Sequence, residues 1–148
     1  MISQRGLLRK AAEPDLAPGG VLKDDLRSIA LQKLAALPPA GKQGKQIPVP
    51  FRYETERPFA IAQPDLDRAK LGTVPLRTLI ALEPVVKRKR VAQCIAREGP
   101  GAEHMRLPLW VVRHGGEDYL LDGHHRATAR YLLGEREAQA RVVTGHAK

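Results

Sequence analysis

Between Leu107 and Val143 the order of residues leaves the chain few choices. Leu107 to Arg113, LPLWVVR, is an apolar run of strand length. His114-Gly115-Gly116-Glu117 follows, and two adjacent glycines accept the positive φ angles at the centre of a tight hairpin turn. Asp118 to Leu121 is the returning strand. Gly123 then bends the chain into a helix that starts at His124 or His125 and runs through Ala127, Ala129, Tyr131 and Leu132. Gly134 stands where a helix C-terminal glycine belongs, and Ala138 to Val143 closes as a last strand. A hairpin, one helix and a further strand in so short a stretch require the helix to lie back on the sheet. The class is α+β.

Upstream, Thr73 to Leu76 suits a short strand, and Leu76, Leu79 and Ile80 have the spacing of a helical turn. Val86 to Arg97 reads as a helix with Val91, Cys94 and Ile95 on its inward face. The stretch from Phe51 to Lys70 has no clear period, but it holds both phenylalanines, Phe51 and Phe59, and is expected to pack. Residues 38–50, PPAGKQGKQIPVP, read as a linker or extended segment. Before them, residues 24–37 place Leu26, Ile29, Ala30, Leu34 and Leu37 at helical spacing, stopped by Pro38-Pro39. The first 20 residues, punctuated by Pro14, Pro18, Gly19 and Gly20, read as a mobile arm. The expected organisation is an arm and linker over 1–50 with one helix, then a domain over 51–148.

Composition excludes several classes. No stretch approaches the roughly 20 apolar residues of a membrane span, and no apolar run of export-signal length follows the first charged residues. A single cysteine, Cys94, forms no internal disulfide and no cysteine metal cluster, which suits a reducing cytoplasm. Only 4% of residues are aromatic, so the core is built from Leu, Val, Ile and Ala. The net charge of +9 is spread evenly, +4 over residues 1–70 and +5 over 71–148. Such a diffuse field favours polyanions without choosing among them. Its one dense cluster is Lys87-Arg88-Lys89-Arg90, a candidate nucleic-acid contact or a solvated face.

The segment that points to chemistry is Asp122-Gly123-His124-His125-Arg126, where a strand end meets a helix start. Helix N-termini carry unpaired N–H groups and partial positive charge, so they hold phosphate. Gly123 permits close backbone approach, Arg126 adds a guanidinium fork and the histidines add donors. Asp122 is placed to hold Mg²⁺ or orient a nucleophile. The same residues also read more plainly, with Asp122 as a helix cap and both histidines in solvent. Adjacent histidines point apart on a helix, so a zinc pair is not expected.

Residues 72–144, which span TVPLRTLIALEPVV, the KRKR helix and LPLWVVRHGGEDYLLDGHHRATARYLLGEREAQARVV, resemble the ParB/sulfiredoxin-like superfamily. That resemblance implies a small nucleotide-binding α+β domain with a mixed sheet, in which the helix N-terminus and its arginine hold phosphates. His124 stands where sulfiredoxins carry their catalytic cysteine, so sulfinic-acid reduction is not implied. No helix-turn-helix reader follows the last strand, so chromosome partitioning is not expected either. The D-G-H-H-R segment and the helix ending in L-G are most similar to the ADP-dependent free-serine kinases. The likeness implies Glu83, in Ala81-Leu82-Glu83-Pro84, as base for a substrate hydroxyl, with Asp122, Gly123, His124, His125 and Arg126 around phosphates and Mg²⁺. The expected ligands are ADP or ATP, or CTP, and a small hydroxyl substrate. A DNA-binding or nuclease-like module, or a nucleotide-regulated interaction module, is the alternative.

Overall fold

The computed structural model describes residues 23–96 and 107–148. The mobile arm expected over the first 20 residues lies outside them. Four α-helices and a mixed sheet make up the described part, as expected for an α+β chain. In chain order the elements are α1 (Lys23–Ala36), β1 (Gln46–Pro48), β2 (Arg52–Tyr53), β3 (Phe59–Ala60), α2 (Gln63–Asp67), β4 (Lys70–Pro75), β5 (Leu79–Ala81) and β6 (Val85–Lys87). They continue with α3 (Arg88–Ala96), β7 (Leu109–His114), β8 (Glu117–Asp122), α4 (His124–Leu132), β9 (Glu137–Thr144) and β10 (His146–Ala147).

Six strands form the central sheet in the order β2-β5-β8-β7-β9-β4. β2, β5 and β8 run parallel, β7 turns antiparallel to β8, β9 runs parallel to β7, and β4 is antiparallel to β9. The hairpin between β7 and β8 forms as its glycines require: Gly115 and Gly116 have φ of 60° and 78°, and a two-residue turn with both angles positive matches the twist of its strands. Two short ribbons, β1 with β6 and β3 with β10, flank the sheet.

α4 lies on one face of the sheet and is buried on both of its own sides. Ala127 packs into the sheet cluster with Val74, Leu76, Leu79, Leu109, Val111 and Leu120. Ala129, Leu132 and Leu133 pack the other way, against Val91, Cys94 and Ile95 of α3 and Ala30 and Leu34 of α1. The short side chains of Ala127, Thr128 and Ala129 let helix and sheet approach closely. Its C-terminus closes as expected at Gly134, with φ of 86° and N–H bonds from Gly134 to Tyr131 O and from Glu135 to Arg130 O. The opposite sheet face is covered by residues 59–69, through Phe59, Ile61, Leu66 and Ala69 on Ile80, Val112, Tyr119 and Val143.

One expectation is corrected. Leu79 to Ala81 is a strand, not a helical turn, because its three residues are buried on both faces between two parallel neighbours. Residues 38–50, expected as a linker or extended segment, hold a 3₁₀ turn at Lys42–Gly44 and the extended β1, whose Ile47 is fully buried against the α1 layer. One continuous cluster, running from Ala30 to Leu133, joins β1 and α1 to α3 and α4. The inward face foreseen for α3, by contrast, is the observed one: Val91, Cys94 and Ile95 are its buried residues.

This packing predicts that α1 is part of the cooperative core. Leu34→Ala is expected to cost about 2–4 kcal/mol in chemical denaturation, whereas Leu31→Ala, on the exposed side of the same helix, shifts stability by no more than about 0.5 kcal/mol. Equal effects would mean that α1 is not docked.

Candidate functional site

The three parallel strands β2, β5 and β8 end side by side. Tyr53 pairs with Ala81 and Ala81 with Leu120, so the segments that follow, 54–58, 82–84 and 122–125, meet beyond the carboxyl ends of the strands. That edge of a parallel sheet is where loops and helix N-termini converge on ligands. Here it gathers Arg57 from the first segment, Glu83 from the second, and Asp122, His124 and His125 from the third. Glu83, Asp122 and Arg57 all act electrostatically on His124, and Glu83, Arg90 and Lys87 on His125.

α4 starts without a side-chain cap. Gly123 is the N-cap residue, with φ of 101°, and the first intrahelical return is from Ala127 N–H to Gly123 O at 2.8 Å. The N–H groups of His124, His125 and Arg126 precede that bond and carry the positive end of the helix dipole. Glycine is required at 123 for two reasons. A Cβ there would lie 2.7 Å from Leu109 Cδ2 and 3.1 Å from Arg126 Nη2, and its φ is one that side chains disfavour. Asp122 does not cap α4, as its plainer reading had it. Its carboxylate is 73% exposed, and Oδ2 lies 3.9 Å from Arg126 Nη2.

Each histidine uses its outer nitrogen as an acceptor. Leu82 N–H donates to His124 Nε2 and Lys87 N–H donates to His125 Nε2, both at 3.1 Å. The two bonds bracket Glu83 and fix residues 82–87 to the first turn of α4. His124 is buried and His125 half-buried, so neither stands in solvent. An Nε2 that accepts places the ring proton on Nδ1, which leaves Nδ1–H as each neutral ring's donor. Burial lowers both pKa values below the ordinary 6.5, and nearby Glu83 opposes the shift in each ring. A protonated Nε2 could not accept the backbone N–H.

Arg126 is also turned inward. Its Nη1 donates to Leu107 O at 2.9 Å and the side chain is only 9% exposed, so burial rather than solvent surrounds the guanidinium. It ties the start of β7 to α4 and lies beneath the helix N-terminus. Arg88, expected with Lys87, Lys89 and Arg90 as a nucleic-acid contact, reaches instead across to the C-terminus of α1. Its guanidinium donates to Leu34 O and, at 2.9 Å, to Leu37 O. A cation at carbonyls that end a helix is favourable. Lys87, Lys89 and Arg90 are exposed.

Among the described residues no group of three or more His, Cys, Asp or Glu is arranged to hold a metal. A Mg²⁺ at Asp122 would therefore draw its other ligands from water and from a phosphorylated ligand, as that ion commonly does. Arg57 was not foreseen from sequence; it sits in a stretch without period, and only the pairing of β2 with β5 brings it here. Compared with known proteins, the chain matches no family model, no curated protein and no solved structure.

Two outcomes are expected. His124→Ala leaves the Leu82 N–H without its acceptor and costs about 1–3 kcal/mol, and His124→Gln, which restores an acceptor oxygen, recovers part of it. Because the folded rings titrate below the unfolded value of about 6.5, the unfolded chain binds more protons just below that pH. Stability is then fully present above it and falls as the pH drops through it. Denaturation midpoints of wild type and the His124→Gln/His125→Gln double variant, compared from pH 7.5 to 5, check this. A slope equally steep in both would contradict it.

Proposed function

We propose that this chain is a nucleotide-binding protein of the ParB/sulfiredoxin-like kind, and that it transfers a phosphoryl group from ADP or ATP to a small hydroxyl substrate such as free serine. The observation that carries the proposal is the meeting of an uncapped helix N-terminus with two exposed carboxylates, Glu83 and Asp122, at the carboxyl ends of three parallel strands. Phosphoryl transfer asks for donor phosphates held in place, charge neutralised and an acceptor hydroxyl aligned. The N–H groups of His124, His125 and Arg126 supply hydrogen bonds to the phosphates. Gly123 supplies the close approach, and Arg126 adds positive charge from beneath while fixing the helix. Asp122 holds Mg²⁺ together with the phosphates.

Glu83 is the base. It takes the proton of the acceptor hydroxyl as that oxygen bonds to phosphorus and the bridging P–O bond to the leaving nucleotide breaks. The histidine rings contribute by holding 82–87 rather than by touching phosphate. Arg57, on the segment that follows β2, offers a counter-charge to an anionic group on the acceptor.

Calorimetric titration of ADP, ATP and CTP with Mg²⁺, followed by a transfer assay with serine and other small hydroxyl compounds, tests the proposal. Adenine nucleotides are expected to bind saturably. Glu83→Gln should leave that binding within about twofold while lowering the transfer rate by about 10²–10⁴. Asp122→Asn should weaken nucleotide binding with Mg²⁺ and leave binding without Mg²⁺ nearly unchanged. No binding of any nucleotide would overturn the reading, and steeply salt-dependent duplex binding in its place would favour the DNA-binding alternative. CTP binding alone would favour a nucleotide-regulated interaction module.

A further inference from the structure

The basic start of α3 lies against the open end of α4. Lys87 N–H donates to His125 Nε2 at 3.1 Å, so the end of β6 is fixed beside the second residue of α4. Val91, Cys94 and Ile95 of α3 pack in one cluster with Ala129, Leu132 and Leu133, which keeps the two helices side by side. Lys87, Lys89 and Arg90 are exposed, and none of them forms an ion pair among the described residues. α3 has no acidic residue in its first turn, so these cations stand at the positive end of their own helix dipole.

The cations of this run do different things. Arg88 is satisfied by Leu34 O and Leu37 O at the end of α1. Lys87 and Arg90 act electrostatically on His125, and so does Glu83, whereas Lys89 is not among the groups that act on that ring. Two cations and the Glu83 carboxylate therefore gather at the first turn of α4. A phosphate chain that enters at the N–H groups of that turn and continues towards Glu83 meets both cations. With Mg²⁺ bound, Glu83 and Asp122 offset the charge of the metal, which leaves the cations of the site to balance the phosphates. Lys87 and Arg90 add their charge on the Glu83 side, where the outermost phosphate must lie to be transferred.

We propose that Lys87 and Arg90 form the seat of a terminal phosphate, and that the site therefore takes a nucleoside triphosphate in preference to a diphosphate. The inner phosphates lie on the N–H groups of α4, and the outermost one lies between that helix end and Glu83, flanked by the two cations. The inference rests on the nucleotide reading and decides between its two donors, ATP and ADP. Lys89 takes no part and contributes only to the general positive field.

Calorimetric titration of ATP and of ADP, each with Mg²⁺, into the full chain tests this with wild type, Lys87→Gln/Arg90→Gln and Lys89→Gln. Wild type is expected to bind ATP roughly tenfold or more tighter than ADP. The double variant keeps the Lys87 backbone N–H bond to His125, and should bind the two nucleotides within about threefold of each other, mainly through weaker ATP binding. Lys89→Gln, which removes the same kind of charge one residue away, should retain the preference for ATP. Equal affinity of wild type for ATP and ADP would overturn the inference and leave the nucleotide reading standing, as would an ATP preference that survives in the double variant. An equal loss in Lys89→Gln would assign the preference to the diffuse field and overturn it as well. No binding of either nucleotide to wild type would overturn both.

Discussion

The rest of the structure hangs on the burial of α4 from both sides. A helix held between a sheet and a second helical layer cannot slide or rotate without opening one contact or the other. Ala127 and Ala129, both without measurable exposure, face these two layers from neighbouring positions on the helix. The N-terminus of α4 is thereby fixed at the end of β8, and the two imidazoles of its first turn reach the backbone beyond β5 and at the end of β6. Those hydrogen bonds turn a packed helix into a frame for a loop. The position of Glu83 is thus set by backbone contacts on either side of it, not by a contact of its own side chain.

How much of this was legible in the chain follows from how local each signal is. The β7–β8 hairpin, α4 and the glycine that ends it are written in adjacent residues, since positive φ at Gly115, Gly116 and Gly134 has one cheap solution. The inward face of α3 was equally readable from Val91, Cys94 and Ile95. β5 was not, because three buried residues after Leu76 fit helical spacing as well as a strand, and only the neighbours β2 and β8 decide between them. β1 was hidden by the prolines around it, although Pro48 stands at the end of a two-strand ribbon where its missing N–H costs little.

The site shows the same division. The D-G-H-H-R segment announced an open helix N-terminus, and the structure has one. What each side chain does there depends on partners about 20 to 40 residues away in sequence, which no local pattern states: Leu107 O for Arg126, and Leu82 and Lys87 N–H for the histidines. The KRKR run carries the same lesson. Four cations at the start of a helix oppose its dipole, yet Arg88 is explained by the end of a different helix, α1. Its three neighbours keep the diffuse positive field that composition foretold.

The central claim is that His124 and His125 are neutral acceptors that hold the Glu83 segment in place. Long-range ¹H–¹⁵N correlation of the imidazole nitrogens at neutral pH reads this directly. The account predicts that both rings carry their proton on Nδ1, with Nε2 unprotonated. It also predicts that the Leu82 and Lys87 amides exchange slowly with solvent. A protonated Nε2 on either ring, or rapid exchange at those two amides, would contradict it.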